Sequence, residues 1–255
     1  MRNIWVICQK ELNSYFSSPI AYLLLTIYAF IFGYFFWNML GYFIMMGLES
    51  QMRGQAMPMN VNEQVIRPLL SNISVIGLFL IPIITMRLFA EEKRTGTIEL
   101  LLTSPIRDYE IIVGKWLAAL MMYCSMLAFT AINMIFIFHY GNPDWKPVAI
   151  GYLGLILQAG GLLALGTFIS TTTKNQIIAA AVTFAVSLIL WVLDWSVGFE
   201  TAQWAQVLAY FSITRHFESF SKGLLDIKDA VYYVSTIIFG LFLTARAMES
   251  LRWRS

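Results

Sequence analysis

The chain has 255 residues, of which 58% are hydrophobic and 13% are charged, and its formal net charge is +2. Soluble domains carry about 25% charged residues, so this composition excludes a water-soluble globular protein and predicts an integral membrane protein. The apolar runs have the length of membrane-spanning helices and lack the roughly ten-residue alternation of outer-membrane barrels. We therefore expect an all-α, polytopic fold.

The first predicted elements are an interfacial helix and a long apolar span. Residues 2–16 mix polar and apolar side chains in a pattern typical of helices that lie on a membrane surface. A span is predicted over residues 20–46, opened by Ser18 and Pro19. We expect no cleaved signal peptide, because charged residues precede an apolar run that is too long for a signal sequence.

Five further spans are predicted, which gives six in all. They cover residues 69–89, 109–138, 147–169, 177–193 and 230–247. Pro82 should kink the second span, since proline lacks the amide hydrogen that a helix uses. Residues 194–229 form a mixed, aromatic-rich outer segment before the last span. No separate soluble domain is evident, so residues 1–255 are interpreted as one membrane domain.

Basic residues are concentrated on one side of this predicted domain. Of the 17 Lys and Arg residues, 11 fall in connections on the side of the N-terminus and 6 on the other side. Because loops rich in Lys and Arg stay in the cytoplasm, the sequence predicts that both chain ends are cytoplasmic. The connection between the second and third spans is then cytoplasmic as well.

That connection is the segment best suited to contact a soluble protein. It runs from Glu91 to Lys115 and is rich in charged residues. Gly96 should break the chain, and a short helix with Glu99 on its polar face should follow. Three- and four-residue spacing predicts an apolar face formed by Ile98, Leu101, Leu102 and Pro105.

Sequence motifs for catalysis are missing. Gly114 and Lys115 lack the upstream glycine of a phosphate-binding loop, so the chain is not expected to bind ATP by that motif. The two histidines, His139 and His216, do not have zinc-protease spacing. We therefore expect that this chain is not an enzyme and holds no cofactor or metal. His216, close to Glu218 in the sequence, is interpreted as structural.

Charged groups are also scarce at membrane depth. The six spans are expected to contain essentially no buried charged side chain, and Asn133 and Gln158 are the main polar groups there. Ion-coupled carriers usually need an intramembrane charge, so this pattern disfavours a secondary transporter. Carbonyl and hydroxyl groups could still hold sodium, which keeps that class open.

Two other patterns support weaker predictions. Small residues four apart are typical of closely packed membrane helices, within one chain or between two chains: Gly160 and Ala164, Gly166 and Ser170, Ala181 and Ala185. Methionines cluster between Met39 and Met59, including Met57 beside Pro58. They could bind monovalent copper, or they could fill apolar space.

The connection between the second and third spans allows a family comparison. Its residues Phe89, Glu91, Glu92, Lys93, Arg94, Gly96, Thr97, Glu99, Leu100, Leu101, Pro105, Gly114 and Lys115 form a characteristic pattern. This pattern resembles the cytoplasmic loop of ABC-2 type transporter permeases, and the likeness covers nearly the whole chain. It is nearest to the permeases of gliding-motility-associated and nitrous-oxide-reductase-maturation ABC systems.

The resemblance implies partners and a site. It implies a second permease, paired about the first and fifth helices, and a dimer of separate ABC ATPase subunits that use ATP and Mg. It implies a location in the bacterial inner membrane, no nucleic-acid partner and a coupling helix over residues 97–104 that docks on the ATPase. The residues expected to couple to the ATPase are Glu91, Glu92, Arg94, Gly96, Thr97, Ile98, Glu99, Leu101, Leu102 and Pro105.

Other functions remain open beside the expected export or extrusion by an ABC transporter. The chain could be an energy transducer without transport, passing ATPase motion to an extracytoplasmic accessory protein. It could also be an ion-coupled carrier. The short helix itself could be an ordinary amphipathic surface helix with no docking role.

Overall fold

The computed structural model describes residues 2–53, 60–103, 105–141, 143–193, 195 and 203–252, which contain eleven α-helices and no strand. The helices are α1 (Arg2–Ser17), α2 (Pro19–Met52), α3 (Arg67–Thr85), α4 (Ala90–Thr95), α5 (Ile98–Thr103), α6 (Asp108–Gly141), α7 (Trp145–Thr172), α8 (Gln176–Val192), α9 (Gln203–Tyr210), α10 (Ile213–Ser221) and α11 (Ile227–Arg252). A π-helical turn, Asn62–Ile66, leads into α3.

The all-α membrane fold is confirmed. Five helical segments of the described chain are long and apolar enough to cross a membrane: Pro19–Met52, Asn62–Thr95, Asp108–Gly141, Trp145–Thr172 and Ile227–Arg252. The helix α8 is apolar but shorter, with 17 residues. The chain is therefore a multi-pass membrane protein.

Several helices begin at side chains that cap them. The Ser18 hydroxyl accepts a hydrogen bond from the Ile20 amide at 3.4 Å, and Pro19 occupies the first turn of α2. Asp144 caps α7 in the same way, and Asn175 caps α8 at 2.9 Å from the Ile177 amide. Such caps satisfy amides that have no partner within the helix, which explains why the helices start where they do.

The helix α7 is the centre of the bundle and packs against α3, α6, α8, α10 and α11. Glycines on α7 allow these close approaches: a Cβ added at Gly166 would lie 2.5 Å from the Thr85 hydroxyl of α3. Gly160 and Ala164 face α11, where their neighbours are Ile237 and Gly240. These predicted small-residue positions are therefore used for packing within the chain.

Replacing Gly240 by valine is expected to separate α11 from α7. A Cβ at Gly240 would lie 2.8 Å from the backbone carbonyl carbon of Ala164, which cannot move aside as a side chain could. We expect a loss of about 1–3 kcal/mol of stability, the usual cost of overpacking, measured as a lower Tm in detergent. Gly41→Val is the matched control, because a Cβ at Gly41 meets nothing within 4 Å. Equal melting temperatures of the two variants would contradict this packing.

The second predicted span, residues 69–89, differs from the structure at its end. The helix α3 contains Pro82 but stops at Thr85, and residues 86–89 form a turn before α4. The Ser170 hydroxyl of α7 accepts hydrogen bonds from the amides of Phe89 and Ala90, both at 3.1 Å. These tertiary hydrogen bonds replace helical ones, so a buried turn is stable here although the sequence is apolar.

Contacts define two ends of the bundle. We call one of them the near end. There, Arg252 of α11 lies 3.4 Å from Asp108 at the start of α6, and the Tyr15 hydroxyl donates to the Ile84 carbonyl at 2.7 Å. The near end thus holds α1, α4, α5 and the last turn of α11. The far end holds the π-helical turn, the end of α6, and α10. The helix α1 and the last turn of α11 therefore lie at the same end of the bundle.

Candidate functional site

The connection at the near end folds into two short helices separated by Gly96. Gly96 ends α4 in the left-handed region, with φ of +75°, which glycine adopts without a steric penalty. The break predicted at Gly96 is therefore confirmed. Acidic residues occupy the first turn of α4 and basic residues the last, the order that the helix dipole favours. The helix α5 covers Ile98–Thr103, and Ser104 of the predicted 97–104 helix lies outside the described residues.

Leu100 is an exposed apolar side chain of α5. Its exposed fraction is 73%, and Glu99 beside it is also exposed. Ile98 and Leu101, which were predicted to share the apolar face of this helix, are half-buried and pack against the hydrophobic core. The spacing of these two residues therefore marks the inner face of α5. The side chain of Leu102 lies outside the described part of the chain.

The residues predicted to couple to the ATPase divide into an exposed group and a group that faces the protein. The exposed coupling residues are Arg94, Gly96, Thr97, Glu99 and Pro105. Glu91 is half-buried and pairs with Arg87 at 2.9 Å, one turn away along the chain. Glu92 points inward, and its carboxylate lies 2.8 Å from the Lys115 ammonium.

Lys115 is the centre of a buried polar cluster at the near end. Its side chain is only 1% exposed and donates to the Glu11 carboxylate at 2.9 Å and to the Leu88 carbonyl at 2.8 Å. Glu92 supplies the third acceptor, so all three ammonium hydrogens have partners. The ammonium also lies 5.2 Å from the centre of the Phe89 ring. We call Glu11, Leu88, Glu92 and Lys115 the Lys115 cluster.

The Lys115 cluster corrects the expectation of uncharged spans. Lys115 lies seven residues into α6, which is about 10 Å along the helix axis. A lysine is stable there because two carboxylates compensate for the loss of hydration that burial causes. One oxygen of Glu92 has no hydrogen-bond partner among the described residues. The cluster therefore combines two carboxylates with one ammonium in a largely buried site.

Contacts along α1 hold this helix against α6. The Asn3 amide donates to the Glu110 carboxylate at 3.1 Å, and the same carboxylate oxygen accepts from the Arg107 amide at 3.2 Å. A Cβ added at Gly114 would lie 2.9 Å from Ile7, so only glycine allows the two helices to approach this closely. The helix α1 is thus attached to α6 both by polar bonds and by close packing.

A second set of contacts ties α4 to the end of α7. The Ser170 hydroxyl accepts from two amides at the start of α4 and donates to the Met86 carbonyl at 3.3 Å. Lys93 donates to the Thr171 carbonyl. Together with the Lys115 cluster, these bonds link α4 to α1, α6 and α7. A displacement of α4 would therefore act directly on α1, α6 and α7.

At the far end, His216 pairs with a different residue from the one that its sequence neighbourhood indicated. Its Nδ1 lies 2.7 Å from an Asp229 carboxylate oxygen, and its Nε2 lies 2.8 Å from the Tyr210 carbonyl. A carbonyl only accepts, so Nε2 donates a hydrogen bond to it. The ring stacks on Tyr232 with 3.9 Å between ring centres. His216 therefore fastens α10 to the start of α11.

Glu218, the expected neighbour of His216, is used elsewhere. It lies 2.7 Å from the Lys222 ammonium and 3.3 Å from the Arg67 guanidinium. The hydrogen bond from Lys222, with Arg67 adding to it, holds the pKa of the Glu218 carboxyl below its usual range. The ion pairs of Glu218 with Lys222 and with Arg67 therefore persist as the pH falls, until the pH passes through the lowered pKa of Glu218.

The described residues include both cysteines and part of the methionine cluster that could bind copper. Among those residues, no group of three or more His, Cys, Asp or Glu side chains could hold a metal ion. Met57 and Met59, the centre of the possible copper site, lie outside the described residues. Cys8 and Cys124 are free thiols, and the Cys8 sulfur contacts the Met121 sulfur at 3.6 Å.

Comparison with known proteins gives a consistent result. The family model described as "ABC-2 family transporter protein" matches residues 5–248. Two curated relatives, each called "Probable multidrug ABC transporter permease YbhR", come from Escherichia coli strain K12 and Escherichia coli O157:H7. Each is 28% identical over 168 residues, which is 65% of this chain and 44% of the relative. The match therefore spans less than half the length of these curated relatives.

Proposed function

The chain belongs to the ABC-2 transporter family, and from this premise we propose that α4 and α5 couple it to separate ATPase subunits that drive export. A transmembrane permease of this family works with an ABC ATPase. In the proposed arrangement, the near end faces the cytoplasm of a bacterium and the far end faces outward. The ATPase dimer binds ATP and Mg, and this chain contributes the path across the inner membrane.

The observation that carries this proposal is that an exposed surface on α5 lies beside a buried ion pair between α4 and α6. Leu100 and Glu99 project from α5, where an apolar side chain flanked by charge suits a protein interface. On the inner side, Glu92 of α4 is held by Lys115 of α6. The same short segment can therefore both receive a partner and move the membrane helices.

The connections support a mechanism of rigid-body motion. When the ATPases close on ATP, they displace α5 and, through Gly96, α4. The Lys115 cluster passes this displacement to α1 and α6, and Ser170 passes it to α7. Packed interfaces move as units rather than bend continuously, so helices attached in this way rotate together. The path between two permeases then opens and closes with ATP hydrolysis.

A second permease is part of the proposal. The helices α2 and α8, the first and fifth apolar helices after α1, both carry exposed apolar faces. On α8, Ala181 and Ala185 are exposed four residues apart, with Ile178 and Val182 beside them. Small residues at this spacing allow two helices to approach closely. We assign this face of α8 to contact with the second permease, which is a copy of this chain or a related chain.

Purification from native membranes followed by reconstitution tests the proposed function. We expect an ABC ATPase to co-purify, and we expect ATP to drive efflux of the exported compound from cells or vesicles. Assembly with an ATPase and an extracytoplasmic protein, without any ATP-dependent flux, would instead support the energy transducer. Flux driven by an ion gradient through the purified chain alone would overturn the proposal. The likeness to gliding-motility permeases stays a prediction in each case.

A further inference from the structure

A groove between α2 and α6 opens towards the far end of the bundle. Its volume is about 690 Å³, within the range of about 300–1,000 Å³ that small-molecule sites occupy. Apolar and aromatic side chains from the two helices form its walls, among them Phe36, Trp37, Leu40, Phe136, Ile137 and Tyr140. The groove therefore suits a hydrocarbon chain.

A polar cleft of about 490 Å³ adjoins the groove. Val61 and Gly141 line both spaces, so the apolar and polar parts meet at these two residues. The cleft lies between the π-helical turn and the connection from α6 to α7, which are joined by two hydrogen bonds between Asn62 and Asp144. An apolar groove and a polar cleft thus lie side by side at the far end.

Charged side chains of both signs line the cleft. Arg67 and Lys222 supply two positive charges, and Glu63 and Asp144 supply two negative charges. Glu218 lies against both cations but leaves them partly exposed, with 38% and 41% of their side-chain surfaces accessible. A headgroup with a positive and a negative group matches this lining better than an anion or a cation alone.

One half-buried polar side chain also lines the apolar groove. Asn133 of α6 lines it, and no protein group in the described chain hydrogen-bonds to the Asn133 side chain. An amide without a partner is costly in an apolar environment at membrane depth. A ligand that carries an ester group beside its hydrocarbon chain would supply the missing hydrogen bond.

We propose that the α2–α6 groove and the adjoining cleft bind a zwitterionic phospholipid of the surrounding bilayer. One acyl chain occupies the groove, with an ester near Asn133. The phosphate faces Arg67 and Lys222, and the amine faces Glu63 and Asp144. A helix of a second protein would fill the apolar groove but would leave the polar cleft and its charges without a counterpart. The site is separate from α4 and α5, so it does not depend on coupling to an ATPase.

Photolabelling of the full chain tests this site. The protein is reconstituted in vesicles of equal amounts of phosphatidylethanolamine and phosphatidylglycerol. Each lipid is added in turn as a trace probe with a photoactivatable acyl chain. We expect the phosphatidylethanolamine probe to label peptides of α2 and α6, and we expect unlabelled phosphatidylethanolamine to compete. If the phosphatidylglycerol probe labels these peptides as strongly as the phosphatidylethanolamine probe does, the site does not select a zwitterionic headgroup and the proposal is overturned.

Two glycine variants separate a specific site from general contact with lipid. A Cβ at Gly33 meets nothing within 4 Å, and Gly33 lines the groove, so Gly33→Phe should fill the groove without disturbing the helices. Gly41 has the same free space on α2 but does not line the groove, which makes Gly41→Phe the matched control. We expect labelling to fall roughly tenfold in Gly33→Phe, a change equivalent to about 1.4 kcal/mol, and to stay unchanged in Gly41→Phe.

Two further results would overturn the proposal. One is labelling that does not saturate and is equal in both glycine variants, which is the behaviour of bulk lipid around any membrane helix. The other is an efficient disulfide between two copies of Gly33→Cys, which would show that a second copy of the chain covers the groove.

Discussion

Lys115→Met is expected to destabilise the protein and to abolish ATP-dependent coupling. The change leaves the carboxylates of Glu11 and Glu92, each only 15% exposed, without the cation that lies within 2.9 Å of both. Removing one partner from a buried ion pair costs about 3–5 kcal/mol, because the remaining charge is neither hydrated nor paired. The expected results are a lower Tm in detergent and ATPase activity that no longer responds to the permease.

A control and a compensating variant make this prediction specific to the cluster. Lys10→Met removes an exposed ammonium from the same end of the molecule and should change neither measurement. Adding Glu11→Gln and Glu92→Gln to Lys115→Met removes all three charges and should recover most of the lost stability. Coupling should stay low in this triple variant, because the ion pair that joins α4 to α6 is absent there too. Full coupling in Lys115→Met would show that the Lys115 cluster does not transmit motion from α4 to the membrane helices.

The sequence predicted the membrane helices well because their signal is local. Long apolar runs can satisfy their backbone in lipid only as helices, so their existence follows from composition and length. Ser18 and Pro19 also marked the start of α2, and Gly96 marked the end of α4. Each of these features depends on residues within one or two helical turns.

The inner connections of the candidate site were not predicted because they join residues that are far apart in the chain. Lys115 and Glu11 are separated by 104 positions. The sequence placed Lys115 at the edge of a polar connection, where a lysine is usually exposed. Its burial depends on how α1 packs across α6, and Gly114, the residue that permits this approach, was noted only as part of a motif. His216 shows the same effect on a smaller scale, since its partner Asp229 lies 13 positions away.

The orientation of α5 shows a further limit of sequence patterns. The spacing of Ile98 and Leu101 identified one face of a short helix, but periodicity does not say whether that face points towards the protein or a partner. In the structure Ile98 and Leu101 point inward, and Leu100 is exposed. A helix of six residues has no wide polar face that would have revealed its direction.

Leu100→Asp is expected to abolish stimulation of the ATPase while the permease stays folded. The leucine side chain is 73% exposed, so the substitution removes little packing within the chain. It places a second carboxylate beside Glu99 at the centre of the proposed interface, where burial of an unpaired charge is costly. The measurements are ATP hydrolysis by the reconstituted complex and the Tm of the permease alone. Hydrolysis should fall to the rate of the isolated ATPase, and the Tm should stay the same.

The matched control for this variant is Leu224→Asp at the opposite end of the bundle. Leu224 has a similar exposed fraction, 62%, and lies in the connection between α10 and α11. The same substitution should therefore have a similarly small effect on the stability of the permease, but it should leave ATP hydrolysis unchanged. Leu101→Asp is a less informative test, because Leu101 packs against the core and its loss would also lower the Tm. If Leu100→Asp stimulates the ATPase as well as the unmodified chain does, α5 is not the docking helix, and the coupling must pass through another surface of the near end.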